Sequence, residues 1–173
     1  MMKKKTSPKI NKRGFTMVES LVAITILLIA VIGPLSLLAT ALRDSVYLRN
    51  EITANFLAQE GLEILTFYRD VGELNIRSDR YYCVDGTKEN YAGSVIPVDD
   101  PDDCVITFDD GYYTHNNGSP TIFTRYLRII DTDNSILNNL GLEEYQVIST
   151  VVWSNTHLQT PRSVNYETHL IYQ

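Results

Sequence analysis

Positive charge is scarce in most of this chain. Of its 15 lysines and arginines, six (Lys3, Lys4, Lys5, Lys9, Lys12 and Arg13) stand in residues 1–14, which hold no acid. The remainder carries nine basic against 21 acidic residues, a net charge of −12. A body that acidic lacks a broad basic patch, which excludes nonspecific nucleic-acid binding by it. Cysteine is scarce as well. Cys83 and Cys104 are the only two, and without an adjoining histidine cluster they make a poor zinc site. His115, His157 and His169 lie in dissimilar contexts with no nucleophile motif near them. No Walker A, GxSxG or HExxH motif occurs. The expectation is a protein that is not an enzyme and uses no cofactor or metal. Apolar material is plentiful: 44% hydrophobic and 10% aromatic residues exclude disorder for most of the chain. Its 173 residues bound it to one small domain with an appendage. Eleven tyrosines suit a β-rich, half-exposed surface.

Between Glu19 and Arg43 lie 23 uncharged residues, SLVAITILLIAVIGPLSLLATAL. As a helix they rise about 35 Å, enough for a hydrocarbon core of about 30 Å. A buried core helix is usually shorter and keeps a polar stripe, whereas this run is apolar all round. The six cations before it orient it with the N-terminus cytoplasmic and everything after Arg43 outside. A secretory signal peptide shares the basic start and the apolar run, and Ala39-Thr40-Ala41 can pass as its cleavage box. Against it, the run is longer than a signal sequence and continues into further helical pattern.

The junction reads Lys12-Arg13-Gly14-Phe15-Thr16-Met17-Val18-Glu19. It resembles the prepilin leader of type IV pilins and type II secretion pseudopilins, in which a basic leader ends in Gly before Phe-Thr-x-x-Glu and an apolar helix. The resemblance implies cleavage between Gly14 and Phe15 by a prepilin peptidase and N-methylation of the new Phe15 amine. It implies an assembly role for Glu19, paired with the N-terminal amine of a neighbouring subunit. Physically, a glycine lets the backbone enter a narrow protease site. A carboxylate at the bilayer edge is costly and needs a partner, which the freed amine supplies. The competing reading of Glu19 is an interfacial residue facing headgroups and water. Gly33-Pro34 inside the run predicts a kink or local unwinding, since proline removes a helix hydrogen bond; a tolerated membrane-helix proline is the other reading.

The helical pattern continues through Leu48, Ile52, Ala54, Leu57, Ala58, Gly61, Leu62, Leu65 and Tyr68, with Arg49, Glu51, Gln59, Glu60 and Glu63 on the other face. Phe15 to about Arg69 reads as one helix of roughly 80 Å. Residues 54–63 resemble minor pilins of the PilV type and I-type pseudopilins. Beyond Gly72 short strands are expected at Tyr81–Val84, Ser94–Val98 and Val105–Phe108. Longer ones are expected at Ile122–Ile130, Tyr145–Trp153 and Ser163–Ile171. Val147, Val151 and Trp153 alternate with Gln146 and Thr150, and Val164, Tyr166, Thr168 and Leu170 with Asn165, Glu167 and His169. That period of two predicts an antiparallel sheet with one covered face. The fold class is α+β: a long N-terminal helix packed on an antiparallel sheet. Its parts are a cleaved leader at 1–14, a transmembrane and assembly helix at 15–42, an amphipathic stem at 43–70 and a β-rich head at 71–173.

An extracytoplasmic head lets Cys83 and Cys104 oxidise, and a bridge over a loop of about 22 residues contributes on the order of 3 kcal/mol. Two reduced thiols are the alternative where the envelope lacks oxidising machinery. Asp99, Asp100, Asp102, Asp103, Asp109 and Asp110 crowd around Cys104. Carboxylates at that density can bind calcium, but the spacing fits no EF-hand loop and a solvated loop is the plainer reading. Asp131-x-Asp133-x-Ser135 reads as a turn. Asn117-Gly118-Ser119 is a formal glycosylation sequon weakened by Pro120. The expected function is a structural subunit, a minor pilin or pseudopilin of a type IV pilus-like or type II secretion filament. Its expected partners are other pilin subunits, the prepilin peptidase and N-methyltransferase, an inner-membrane assembly platform and lipid before assembly, with no nucleic acid. The alternative is a single-pass anchored extracytoplasmic binding domain that joins no filament. That reading predicts an uncut leader.

Overall fold

A computed structural model describes residues 16–72, 74, 76–86, 95–115, 118–154 and 160–172. Its contacts divide the chain into two units, Met1–Tyr47 and Leu48–Gln173. The predicted cleavage pair, Gly14 and Phe15, lies outside the described residues, as do His157 and Asn117.

Helix α1 spans Met17–Asp70. The expected helix matches it within two residues at the start and one at the end. Arg69 stands in the last turn, where a cation complements the helix dipole. Gly72, at φ +74°, then ends the helix in the left-handed conformation that glycine adopts without a Cβ penalty, and its N–H donates to the Arg69 carbonyl at 3.0 Å. Pro34 lies inside the helix, and helical structure runs unbroken through it.

Among its described residues the second unit holds seven strands: β1 (Arg80–Val84), β2 (Val95–Val98), β3 (Val105–Asp109), β4 (Tyr112–Thr114), β5 (Ser119–Asp131), β6 (Glu143–Trp153) and β7 (Arg162–Tyr172). All pair antiparallel. β5 is the hub. One side of it meets β1 near Leu127 and β3 near Thr124, and the other side meets β6 from Phe123↔Trp153 to Asp131↔Tyr145. β6 passes the sheet on to β7. The six expected strands are all present; five are extended by a residue or more, and β2 ends at Val98 as expected, with Ser94 outside the described residues. Two short elements carry too little pattern to be read in advance: β4, and helix α2 (Ser135–Asn139), which Asn134 caps by accepting from the Ile136 N–H. A three-residue 3-10 turn, Pro101–Asp103, also lies between β2 and β3.

The amphipathic part of α1 covers the sheet. Ala54, Leu57, Ala58, Gly61, Leu65 and Tyr68 are buried, one stripe at three- and four-residue spacing. Leu48 and Ile52, read in sequence as members of that stripe, are instead 54% and 56% exposed. The core falls into two clusters. One joins Ala54, Leu57 and Ala58 to Ile106, Phe123, Val151 and Trp153. The other joins Leu65 and Tyr68 to Tyr82, Val84, Leu127, Ile129, Val147 and Leu170. A polar belt separates them. Gly61 is its helical member, and a Cβ there would lie 2.9 Å from Ser149 Oγ and 3.2 Å from Arg125 Cδ. Small residues on the helix thus let it approach two polar side chains on β5 and β6.

Cys83 and Cys104 form a disulfide, with Cα atoms 5.3 Å apart. It ties the end of β1 to the segment before β3, across a sequence separation of 21. By loop entropy this contributes on the order of 3 kcal/mol.

Candidate functional site: the two halves of the stem helix

The helix opens on Thr16, whose Oγ1 accepts from the Glu19 N–H at 3.3 Å, while the Ser20 N–H donates to the Thr16 carbonyl. Thr-x-x-Glu at a helix start is the capping-box pattern, in which the hydroxyl satisfies an N–H that has no intrahelical acceptor. Glu19 stands in the first turn, exposed, where the helix dipole favours a carboxylate.

The next 23 residues contain four hydroxyls, and each is satisfied within the helix. Ser20 donates to Thr16 O at 3.4 Å, Thr25 to Val22 O at 2.8 Å, Ser36 to Gly33 O at 2.9 Å and Thr40 to Ser36 O at 3.1 Å. No hydroxyl there needs water, which is the condition a lipid-exposed helix must meet. The large apolar side chains from Met17 to Val46 are exposed, Ile29 and Leu37 at 72%. By length and composition this is a helix able to cross a membrane.

The head half of α1 carries different chemistry. Arg125, on the inward face of β5, is fully buried and satisfies three acceptors. Nη1 donates to the Leu57 carbonyl at 3.1 Å and to Glu60 Oε2 at 2.8 Å, and Nη2 to the Val84 carbonyl at 2.7 Å. One side chain therefore links α1, β5 and β1. Burial pulls the guanidinium below its ordinary pKa, and Glu60 and Asp85 oppose that pull. Asp85 is 1% exposed and accepts from the Thr114 hydroxyl at 2.8 Å. His115 completes the group, with Nδ1 3.1 Å from the Val105 carbonyl. Its burial, then the nearby guanidinium, hold the imidazole below its ordinary value, while the Val105 and Val84 carbonyls and Asp85 act the other way. Sequence reading missed this cluster. Arg125 keeps the same strand parity as Phe123, Leu127 and Ile129, which was the available signal.

Beside this cluster lies an open groove of about 430 Å³. Phe56, Leu57, Gln59, Glu60 and Glu63 of α1 line it, with Tyr113 of β4. Three of the other polar residues singled out in the sequence, Asp100, Asp131 and His169, have structural partners. Asp100 accepts from the Asp102 N–H at 2.9 Å and caps the 3-10 turn. Asp131 accepts from the Asp133 N–H at 2.9 Å. His169 lies 3.2 Å from Glu144, whose carboxyl is held below its ordinary value first by the Asn134 amide. Among the described residues, no group of three or more His, Cys, Asp or Glu is placed to hold a metal ion.

With this geometry in view, the chain is similar to one family model. The prokaryotic N-terminal methylation motif matches residues 9–33, from inside the basic segment to just before Pro34. No curated protein and no solved structure matches the chain. The motif, followed by a long apolar helix packed at its far half on an antiparallel sheet, supports the type IV pilin and pseudopilin family, with a pilin-like α+β architecture. The chain is prepilin-like, and its motif and apolar helix fit a single-pass inner-membrane anchor.

Proposed function

We propose that this chain is a structural subunit, a minor pilin or pseudopilin, of a type IV pilus-like or type II secretion filament, and not an enzyme. The reading rests on one observation. The apolar half of α1, whose first part lies within the methylation motif, has its own hydroxyls satisfied and buries none of its large apolar side chains. Such a surface stays in lipid until equivalent helices replace the lipid.

In this scheme residues 1–14 are a cytoplasmic leader cut after Gly14, and Phe15 becomes the N-methylated terminus. The peptidase acts first, and the inner-membrane assembly platform then extracts the stem. Glu19, four residues behind the new amine, pairs with the amine of a neighbouring subunit and sets register, since a carboxylate inside an apolar bundle is costly alone. Thr16 holds the first turn helical and so fixes where that carboxylate sits. Pro34 leaves the Ala30 carbonyl without its usual helical donor and marks the place where the stem unwinds or bends on assembly. The head stands outside the membrane, where its disulfide is stable. The minor-subunit assignment rests on the PilV-like residues 54–63.

The test is Glu19→Ala in cells that supply a prepilin peptidase. The variant is expected to be cut normally and retained in the membrane, while its share of the sheared filament fraction falls about tenfold or more, as loss of an ion pair worth over 1.4 kcal/mol requires. Incorporation at the unsubstituted level would remove Glu19 from the assembly mechanism.

A further inference from the structure

The groove beside Arg125 has mixed walls. Phe56 is 67% exposed and forms an aromatic wall on the helix, and Tyr113 forms another on β4. Glu60 and Glu63 are its charged members, and no lysine or arginine among the described residues lines it. Glu60 is held in place, because one of its oxygens accepts from the buried Arg125 at 2.8 Å while its side chain stays 46% exposed.

The lining selects its occupant. An apolar side chain would strip water from two carboxylates and give them no partner. An anion would be repelled. A long side chain with an apolar stem and a cationic head satisfies both walls, with its stem against Phe56 and Tyr113 and its charge at Glu60 and Glu63. A membrane surface is a poor source of that cation, because a body with a net charge of −12 is repelled by anionic headgroups.

We propose that this groove receives a lysine or arginine side chain of a neighbouring subunit in the assembled filament. The inference rests on the filament reading above and adds a head-level contact to the stem contacts. Glu63 is the exposed, adjustable carboxylate of the site, and Glu60 is the one fixed from behind by Arg125.

The full chain, coexpressed with prepilin peptidase and the other filament subunits, tests this by its distribution between membrane and sheared filament. Glu63→Arg is expected to lower filament incorporation about tenfold or more, because like charges then meet across the contact. Glu63→Gln removes attraction without adding repulsion and is expected to cost less. Phe56→Ala removes an exposed wall without opening the core, and should also lower incorporation. Asp102→Arg makes the same charge change on the 3-10 turn, outside the groove lining, and should leave incorporation unchanged. The proposal is overturned if Glu63→Arg is incorporated normally, or if Asp102→Arg loses as much. It is also overturned, and a lipid contact indicated, if Glu63→Arg alters membrane retention instead of incorporation. An uncut leader in the unsubstituted chain overturns the filament reading itself, an outcome distinct from normal cleavage with an indifferent Glu63.

Discussion

The two halves of α1 bury very different amounts of surface. Leu65 in the head half is 0% exposed, whereas Leu28 in the N-terminal half is 50% exposed, and both are leucines in the same continuous helix. The head half has small residues, Ala54, Ala58 and Gly61, where the sheet comes close, and polar residues where it does not. The N-terminal half is apolar on every side, and its large apolar side chains are exposed. A helix in water is held mainly by the packing of one face. The head half meets that condition within its own unit. The N-terminal half meets no such condition within its own unit, and in the proposed scheme lipid or other stems take the place of the sheet.

The sharpest way to break this contrast is at the belt between the two core clusters. Arg125→Ala removes the donor of three acceptors, the Leu57 and Val84 carbonyls and the Glu60 carboxylate. The expected loss in head stability is about 2–4 kcal/mol, from the two buried carbonyls left without a donor and the cavity left behind. Denaturant unfolding of the full chain in detergent, followed by the fluorescence of Trp153, measures it; a loss below about 1 kcal/mol, the scale of an exposed pair, would mean the guanidinium contributes only as a surface charge.

Next comes a matched pair of truncations. Leu65→Ala is expected to cost about 2–5 kcal/mol in the same measurement, by lost burial and the cavity left behind. Leu28→Ala is expected to change head unfolding by less than about 0.5 kcal/mol, as an exposed position should. Similar values for the two would erase the distinction between the halves.

The smallest effect is a pH dependence within the head. The folded state holds His115 below its ordinary pKa of 6.5, so the unfolded chain binds the proton more readily. The corresponding stability is complete above 6.5 and is lost as pH falls through the folded value. The head's Tm should therefore drop on acidification from neutral pH, and His115→Gln should flatten that slope. Equal slopes would show that His115 is not the group responsible. Glu144, whose carboxyl is also held low, loses its contribution only in the more acid carboxylate range.

Most of the architecture was legible because it rests on long periodic signals. The uncharged run, the stripe from Ala54 to Tyr68 and the alternation in β5, β6 and β7 each extend over enough residues to fix the type of element. The motif at Gly14, Phe15, Thr16 and Glu19 was legible as a local pattern, and the methylation-motif match covers all four. What escaped was of two kinds. Elements as short as β4 and α2 have too few residues for a period to show. The Arg125 cluster assembles residues 57, 60, 84 and 125, whose proximity depends on β5 pairing with β1 and on α1 crossing that seam. Leu48 and Ile52 show the reverse error. Their spacing continues the stripe, yet they remain exposed, because period alone does not say where the covering sheet stops.

In the proposed scheme, leader removal makes the N-terminal half of α1 ready for its partners. Intact mass and N-terminal analysis of the chain, expressed with and without a prepilin peptidase and beside a Gly14→Ala control, tests it most directly. The account predicts a peptidase-dependent loss of residues 1–14 that leaves methylated Phe15 and is blocked by Gly14→Ala. An N-terminus that stays at Met1 in the presence of the peptidase, or a cut near Ala41, would contradict it.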